Sequence, residues 1–320
     1  MHITVLDAAT LGGDLDLSVL EMNGRHRLTV CEGTSADEVA ERVRSADVVI
    51  LNKIKLGEHN LPPVGEGSTK LICVTATGYD NIDLDACRRR GIGVCNVVGY
   101  SSDSVAQMTV AIVLNLVNHL DEYTNFVRSG EYSASGCANR LTPVFHELRG
   151  KTWGILGLGR IGKQTARIAE AFGCRVIACK RTPDENFTCV DMETLFRESD
   201  ILTVHVPLSD ATRGIVNGEL LSLMKRDAVL VNMARGAVTD EAAVARAVLG
   251  GRIGAFGADV YSVEPFGVEH PFTALLGLKN VCLTPHASWG AYEARERCIL
   301  EIVENINAFE RGDRRCRVDL

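Results

Sequence analysis

Near the middle of the chain, Lys151-Thr-Trp-Gly-Ile-Leu-Gly-Leu-Gly-Arg-Ile-Gly-Lys163 combines three signals that leave few folds open. Residues 153–156 are a short, mostly apolar run suited to a buried parallel strand, and apolar residues recur at helical spacing over 161–172. Between them, Gly157, Gly159 and Gly162 stand in G-x-G-x-x-G spacing. The first glycine permits a tight turn and the second lets the backbone approach a pyrophosphate. The third lets helix pack closely on strand, with the helix N-terminus, at Arg160 and Ile161, facing the negative charge. The expected ligand is a dinucleotide. Glycine-rich turns are common, and it is the strand before and the helix after that separate this one from a mere tight turn.

Apolar runs at 3–6, 28–31, 48–51, 71–74 and 92–97 read as strands, with helices over 36–44 and 83–90. Beyond the motif strand come further strands at 175–179, 201–205, 228–232, 253–258 and 281–283, six in all, with helices over 192–197, 218–224 and 241–249. Such alternation implies parallel sheets flanked by helices. The expected fold class is α/β with two Rossmann-like, doubly wound domains. Between the two sets, 104–126 reads as one long helix with Val105, Met108, Ile112, Leu116 and Leu120 on one face and Ser102 or Asp103 as its N-cap. So long an apolar helix packs against another domain or another subunit. Residues 129–148 read as a loop. A closing helix over 291–308 can return to the first unit, making the nucleotide domain, 102–287, an insertion in a substrate domain built from 1–101 and 288–320. Glycines at 99 and 290 would then sit at the two crossings as hinges.

The chain of 320 residues carries a net charge of −7, and its longest basic run is Arg88-Arg89-Arg90, expected to be a solvated helix end. That balance excludes a nucleic-acid surface. Eleven scattered cysteines, none in C-x-x-C spacing, point to neither a disulfide framework nor a metal site, and reduced thiols imply a cytoplasmic setting. Met1-His-Ile-Thr-Val-Leu-Asp7 is already strand-like rather than a signal peptide, and with no run of about 18 apolar residues no membrane association is expected.

Three residues at the C-terminal ends of second-unit strands carry plausible chemistry, the end where open α/β sheets hold ligands. Arg235 follows Leu230-Val-Asn-Met-Ala234 and precedes Gly236; its planar guanidinium suits bidentate capture of a carboxylate, although a surface arginine capping a strand end would look the same locally. Glu264 lies in Gly257-Ala-Asp-Val-Tyr-Ser-Val-Glu-Pro265 and His286 in Leu283-Thr-Pro-His-Ala-Ser-Trp289. A carboxylate bonded to one ring nitrogen fixes the imidazole tautomer and favours its protonated form, leaving the other nitrogen to protonate a carbonyl oxygen. Most of the eight histidines must be structural, so the case rests on the convergence of three residues.

These motifs, in this order, resemble the D-isomer-specific 2-hydroxyacid dehydrogenase family: Gly157-Leu-Gly-Arg-Ile-Gly162, Val231-Asn-Met-Ala-Arg-Gly236, Gly257 to Pro265, and Thr284-Pro-His286. The resemblance covers essentially the whole chain and implies the split substrate domain and a homodimer paired through the long helix. By resemblance, Arg235 binds the substrate carboxylate, His286 is the acid/base and Glu264 supports it. Thr75, Ala76, Thr77 and Gly78 would form a backbone nest for the same carboxylate, with Lys53 and Trp289 lining the pocket. Asp259 would contact the nicotinamide amide, and Val206, Pro207, Thr212, Met233 and Ala234 would border the cofactor.

One departure bears on the cofactor. NAD-preferring members end the second nucleotide-domain strand with an acid for the ribose diol, whereas here Lys180 and Arg181 follow that strand. A basic cluster attracts a 2′-phosphate, so NADP(H) is favoured over NAD(H); alternatively both side chains face solvent and Asp184 or Glu185 holds the ribose. Within the family, Gly99 to Gln107 and Ala76 to Asp83, with Trp289, look most like the glycerate dehydrogenase (hydroxypyruvate and glyoxylate reductase) branch. Tyr79, Tyr100 and Met108 leave open an aromatic, phenylpyruvate-like 2-oxo acid. The reading from another class is a non-catalytic, NAD(H)-sensing protein resembling the C-terminal-binding-protein corepressors, disfavoured by the lack of an added tail.

Overall fold

The computed structural model describes residues 1–320, which cluster into two units, Met1–Ser101 with Gly290–Leu320, and Ser102–Trp289. The first unit comprises β1 (His2–Val5), β2 (Arg27–Val30), α1 (Ala36–Ser45), β3 (Val48–Leu51), β4 (Leu71–Val74), α2 (Leu84–Arg89) and β5 (Gly93–Cys95). Its strands form one parallel sheet in the order β2-β1-β3-β4-β5. β3 and β4 are buried on both faces, which explains why they read as unbroken Val, Ile, Leu and Cys runs rather than as alternation. Both helices start on a chemically apt cap: Ser35 and Glu38 make a reciprocal capping box at α1, and Asp83 accepts the Ala86 N–H at α2. The arginine triplet does end α2, but Arg90 is not solvated: its side chain is buried against the carbonyls of Pro62 and Ala86, with Glu58 on its outer end.

The second unit contains α3 (Ser102–Asn118), α4 (Leu120–Arg128), α5 (Glu131–Ser135), β6 (Thr152–Leu156), α6 (Arg160–Ala171), β7 (Arg175–Cys179) and β8 (Thr188–Cys189). It continues through α7 (Met192–Glu198), β9 (Ile201–Val204), α8 (Gly218–Leu223), β10 (Val229–Asn232), α9 (Glu241–Leu249), β11 (Ala255–Ala258) and β12 (Val281–Leu283). The last helix, α10 (Tyr292–Glu310), belongs to the first unit. The second sheet is all parallel, ordered β12-β11-β10-β9-β6-β7-β8, so the chain reverses direction across the sheet beside β6, at the glycine turn. That reversal is where doubly wound sheets open a crevice for a nucleotide.

Four expectations are corrected. The single long helix is two, because His119 adopts a left-handed conformation at φ 52° and ends α3; Leu120 therefore leaves the shared apolar face and is exposed. The helix also begins at Ser102 itself, so neither Ser102 nor Asp103 stands outside it as a cap. The second sheet has seven strands rather than six, the addition being the two-residue β8 paired to β7. The stretch expected to be loop contains α5.

The core of the second unit sits on both faces of its sheet. On one, α3 and α6 cover Trp153, Ile155, Val176 and Val231; on the other, Phe196, Leu202, Leu230, Val244 and Phe256 pack together. Burial of each such side chain contributes about 1.5–3 kcal/mol. Gly257 has a packing reason: a Cβ there would stand 2.4 Å from Ile112 Cγ2, so only a glycine lets α3 seat on β11. No helix is long and apolar enough to cross a membrane.

Candidate active site

The glycine turn between β6 and α6 has the geometry its spacing implies. Gly157 has φ +98°, and a Cβ on it would lie 2.6 Å from the Val206 backbone N; one on Gly162 would lie 2.2 Å from the Gly157 carbonyl oxygen. Both close approaches exclude a side chain. Gly159, the residue before the first turn of α6, has nothing within 4 Å of its Cβ position, so its backbone borders open space. A tight turn, a close helix–strand contact and an open backbone at a helix N-terminus fit a dinucleotide pyrophosphate. Arg160 and Ile161 start α6, and Val206 and Pro207 follow β9 beside the turn, where Thr212 knits their loop by donating to the Pro207 carbonyl at 2.6 Å.

The end of β7 is more engaged than the sequence alone conveys. Asp184, half-buried, takes Lys163 Nζ at 2.5 Å and Lys180 Nζ at 3.7 Å, and the Lys163 hydrogen bond holds its carboxyl down at about 2. Asp184 is thus an anion already shared by two lysines, with Lys180 and Arg181 exposed beside it. Lys163, one turn into α6, was not among the expected residues; its place three residues past Arg160 on the same helix was the available signal.

The three chemical candidates lie at the ends of adjacent strands β10, β11 and β12. After β10, Asn232 shapes the turn, its side chain accepting the Ala234 N–H at 3.0 Å and donating to the Arg235 carbonyl at 2.9 Å. Met233 is buried and Ala234 half-buried, while Arg235 Nη1 donates to the Ala234 carbonyl at 2.9 Å. A Cβ on Gly236 would stand 1.9 Å from the Tyr261 carbonyl carbon, so this turn presses against the loop that follows β11. That loop carries Glu264, whose Oε1 accepts the Tyr261 N–H at 3.0 Å and whose Oε2 lies 2.6 Å from His286 Nδ1. The carboxylate–imidazole contact fixes which ring nitrogen faces away, Nε2.

His286 itself sits at φ +52°, an uncommon conformation for a residue with a side chain. Asp259, buried at the end of β11, holds the segment in that shape by accepting Thr284 Oγ1, Ala287 N–H and Ser288 N–H at 2.6–2.9 Å. Both its oxygens are therefore turned to the His286 segment. Trp289 is half-buried against the α3–α6 side of the core.

In the first unit, Lys53 follows β3 and is exposed, with its N–H donated to buried Asp7 at 2.7 Å. Thr75 is fully buried, bonded to Leu51 and Asn52. Thr77 donates its hydroxyl to the Val97 carbonyl at 2.9 Å, and its own carbonyl accepts Asn96 Nδ2 at 2.7 Å, so the turn through Ala76, Thr77 and Gly78 is pinned by side chains at both sides. Of the aromatic and bulky residues weighed for substrate choice, Tyr100 is core at 6% exposure and Met108 packs on the second unit's core; Tyr79 alone is exposed.

Comparison with known proteins bears on this arrangement. Residues 110–288 match the profile of the D-isomer specific 2-hydroxyacid dehydrogenase NAD binding domain. The chain is 35% identical to a glycerate dehydrogenase of Methylorubrum extorquens, covering 93% of this chain and 94% of that one, and 35% identical to a hydroxypyruvate reductase of Blautia hydrogenotrophica over 98% of each. Its fold superposes with TM-score 0.81 on an NADPH-dependent glyoxylate/hydroxypyruvate reductase from Sinorhizobium meliloti solved with NADP and malonate, at 30% identity and covering 99% and 96% of the two chains. The profile match over more than half the chain and identities above 30% over nearly its full length lead to one conclusion: the chain belongs to the D-isomer specific 2-hydroxyacid dehydrogenase family, and is an NAD(P)-dependent oxidoreductase.

Proposed function

We propose that this protein reduces a small 2-oxo acid of the hydroxypyruvate or glyoxylate type, reversibly, to the D-2-hydroxy acid. The observation that carries the reading is the 2.6 Å contact between Glu264 Oε2 and His286 Nδ1 beside the braced Arg235 turn. When bound, the nicotinamide cofactor supplies the hydride that C2 of the oxo acid accepts. His286 holds a proton on Nε2 and delivers it to the carbonyl oxygen; Glu264 keeps the ring in the tautomer and orientation that allow it. Arg235 clamps the carboxylate with two parallel N–H groups and, with His286, stabilises negative charge growing on the carbonyl oxygen. In the first unit, the pinned turn at Thr75, Ala76, Thr77 and Gly78 is an anion nest, with Lys53 as a further cation. With Tyr100 buried and Met108 half-buried against the second unit's core, Tyr79 is the one exposed residue of the three, and the small-acid reading is favoured over an aromatic one.

NADPH is the preferred cofactor in this reading. Gly157, Gly159 and Gly162 would cradle the pyrophosphate, and Val206, Pro207, Thr212, Met233 and Ala234 would border the nucleotide; Asp259, expected at the nicotinamide amide, is instead fully buried with both oxygens on the His286 segment. Lys163 and Lys180 pair with Asp184 at the end of β7, and exposed Arg181 follows Lys180 in the chain, so basic side chains are at hand for a 2′-phosphate. The acid that would otherwise hold a ribose diol, Asp184, is occupied by the two lysines. A cytoplasmic homodimer is part of the same reading. Leu120, Val127, Leu141, Val144 and Phe145, within residues 120–145 of the second unit, are exposed apolar side chains that such pairing would cover.

The test is a set of initial rates with hydroxypyruvate, glyoxylate, pyruvate and phenylpyruvate, each with NADPH and NADH. Hydroxypyruvate or glyoxylate reduction faster with NADPH is expected. Preference for phenylpyruvate overturns the substrate assignment, preference for NADH overturns the phosphate assignment, and cofactor binding without turnover of any oxo acid replaces the enzyme with a nucleotide sensor.

A further inference from the structure

Behind the loop that carries Glu264 lies a second carboxylate–imidazole pair, Glu241 with His270. Glu241 is the first residue of α9, and His270 precedes the short 3-10 turn Pro271–Leu275; their side chains are 8% and 6% exposed. Glu241 Oε1 accepts the Ser262 N–H at 2.8 Å, while Oε2 accepts the Ser262 hydroxyl and lies 2.9 Å from His270 Nε2. On the far side of the ring, Nδ1 accepts the Phe272 N–H at 3.2 Å, which puts the ring proton on Nε2 and aims it at Glu241. Phe266 stacks on the ring at 4.7 Å between centroids and 28° between planes, and Phe272 meets it edge-on at 5.1 Å. A buried carboxylate is costly unless its lone pairs are satisfied, and three donors satisfy this one.

What this pair grips is Ser262, which lies one residue after the N–H that anchors Glu264 Oε1 and two before Glu264 itself. Residues 262–265 are exposed, and Val263 is an exposed apolar side chain, so the segment has little packing of its own to define it. Its fixed shape comes from two sides: Gly236, whose Cβ would lie 2.1 Å from the Ser262 N, and the Glu241 carboxylate. Loss of the carboxylate would free Ser262 from one of them and let Glu264 drift from His286, whose contact tolerates only a fraction of an ångström.

We infer that Glu241 and His270 are positioning residues for the acid/base pair: Glu241, oriented by His270, locks Ser262 and thereby sets Glu264 against His286. The inference rests on the reading of Glu264 and His286 given above. It assigns the buried pair no contact with substrate or cofactor.

The experiment compares kcat, KM for hydroxypyruvate and calorimetric NADPH affinity in the intact enzyme and in Glu264→Gln, Glu241→Gln, the double variant Glu241→Gln/Glu264→Gln, and Ser262→Ala. Glu241→Gln is expected to lower kcat by roughly 10- to 100-fold, part of the range that a positioned acid/base contributes, with KM and NADPH affinity within about twofold. Since both carboxylates act through one geometry, the double variant should be no slower than Glu264→Gln by more than about twofold. A Glu241→Gln enzyme with unchanged kcat, or a double variant whose losses multiply, overturns the inference while Glu264→Gln remains slow. Should Glu241→Gln fail to fold, Ser262→Ala removes one donor only: a fall in kcat at constant KM supports the brace and an unchanged kcat overturns it. Glu264→Gln at full rate overturns the acid/base reading itself, and the inference with it.

Discussion

Asp259 and Ser288 are joined by a 2.9 Å hydrogen bond from backbone N–H to Oδ2, and through it the end of β11 dictates the path of the chain two residues past His286. With Thr284 and Ala287 on the other oxygen, the buried carboxylate accepts three bonds, all from the segment that must hold His286 at positive φ. An amide can accept at one oxygen only and would turn two N–H groups toward donors. Asp259→Asn is therefore expected to lose about 2–4 kcal/mol of stability and most of its activity, read by denaturant unfolding and by kcat. A variant as stable as the parent would show that the three bonds are incidental.

The acid/base assignment makes its own demand. His286→Gln retains hydrogen-bonding capacity but not proton transfer, so kcat should fall by about 10²–10⁴-fold with NADPH affinity preserved. Equal losses in kcat and cofactor affinity would mark His286 as a binding residue instead.

The proposed preference for NADPH rests on the charge at the end of β7. Each charge-assisted contact to a phosphate is worth about 1.5–3 kcal/mol, so Lys180→Ala with Arg181→Ala should raise KM for NADPH by at least tenfold and leave KM for NADH within a few-fold. Steady-state kinetics with both cofactors measure it directly; parallel changes in the two would remove the 2′-phosphate from the account. Asp184 should not be the residue mutated, because removing it strands Lys163 as well.

How much of this was legible in the sequence follows from the range of the interactions. The glycine turn was legible because a strand, three glycines and a helix lie within one short segment, and Gly157 and Gly162 exclude side chains through contacts with that turn and the strand beside it. Arg235, Glu264 and His286 were legible as strand-end residues, since strand runs are local. The break at His119 was not: a non-glycine residue in the left-handed region leaves the apolar spacing on either side intact, so the pattern runs on through it. Neither was the Glu241–His270 pair, whose members are 29 residues apart and meet only because α9 and the 3-10 turn at Pro271–Leu275 pack together. Glu241 follows the Asp240 cap as a first-turn acid, a common place for a carboxylate on any helix.

His205 supplies the last prediction, and it concerns stability rather than turnover. It follows β9 at the edge of the glycine turn, and both its ring nitrogens are shut off from solvent without a hydrogen-bond partner in the protein. Burial disfavours the imidazolium and pushes the ring down from 6.5 to about 3. In the unfolded chain the same ring takes up a proton near pH 6.5, so between 6.5 and about 3 the unfolded state binds more protons than the folded one. Stability must then fall as pH falls across that window, by up to about 1.4 kcal/mol per pH unit from this residue. His205→Gln cannot titrate and lacks that contribution. The stability difference between parent and variant should therefore be largest at pH 7 and above and should shrink, or reverse, by pH 5, as followed by chemical denaturation at each pH. A difference that stays constant from pH 7 to pH 5 would mean that the ring gains a proton as readily in the folded protein as out of it, and that water or a bound nucleotide reaches the nitrogens that the fold encloses.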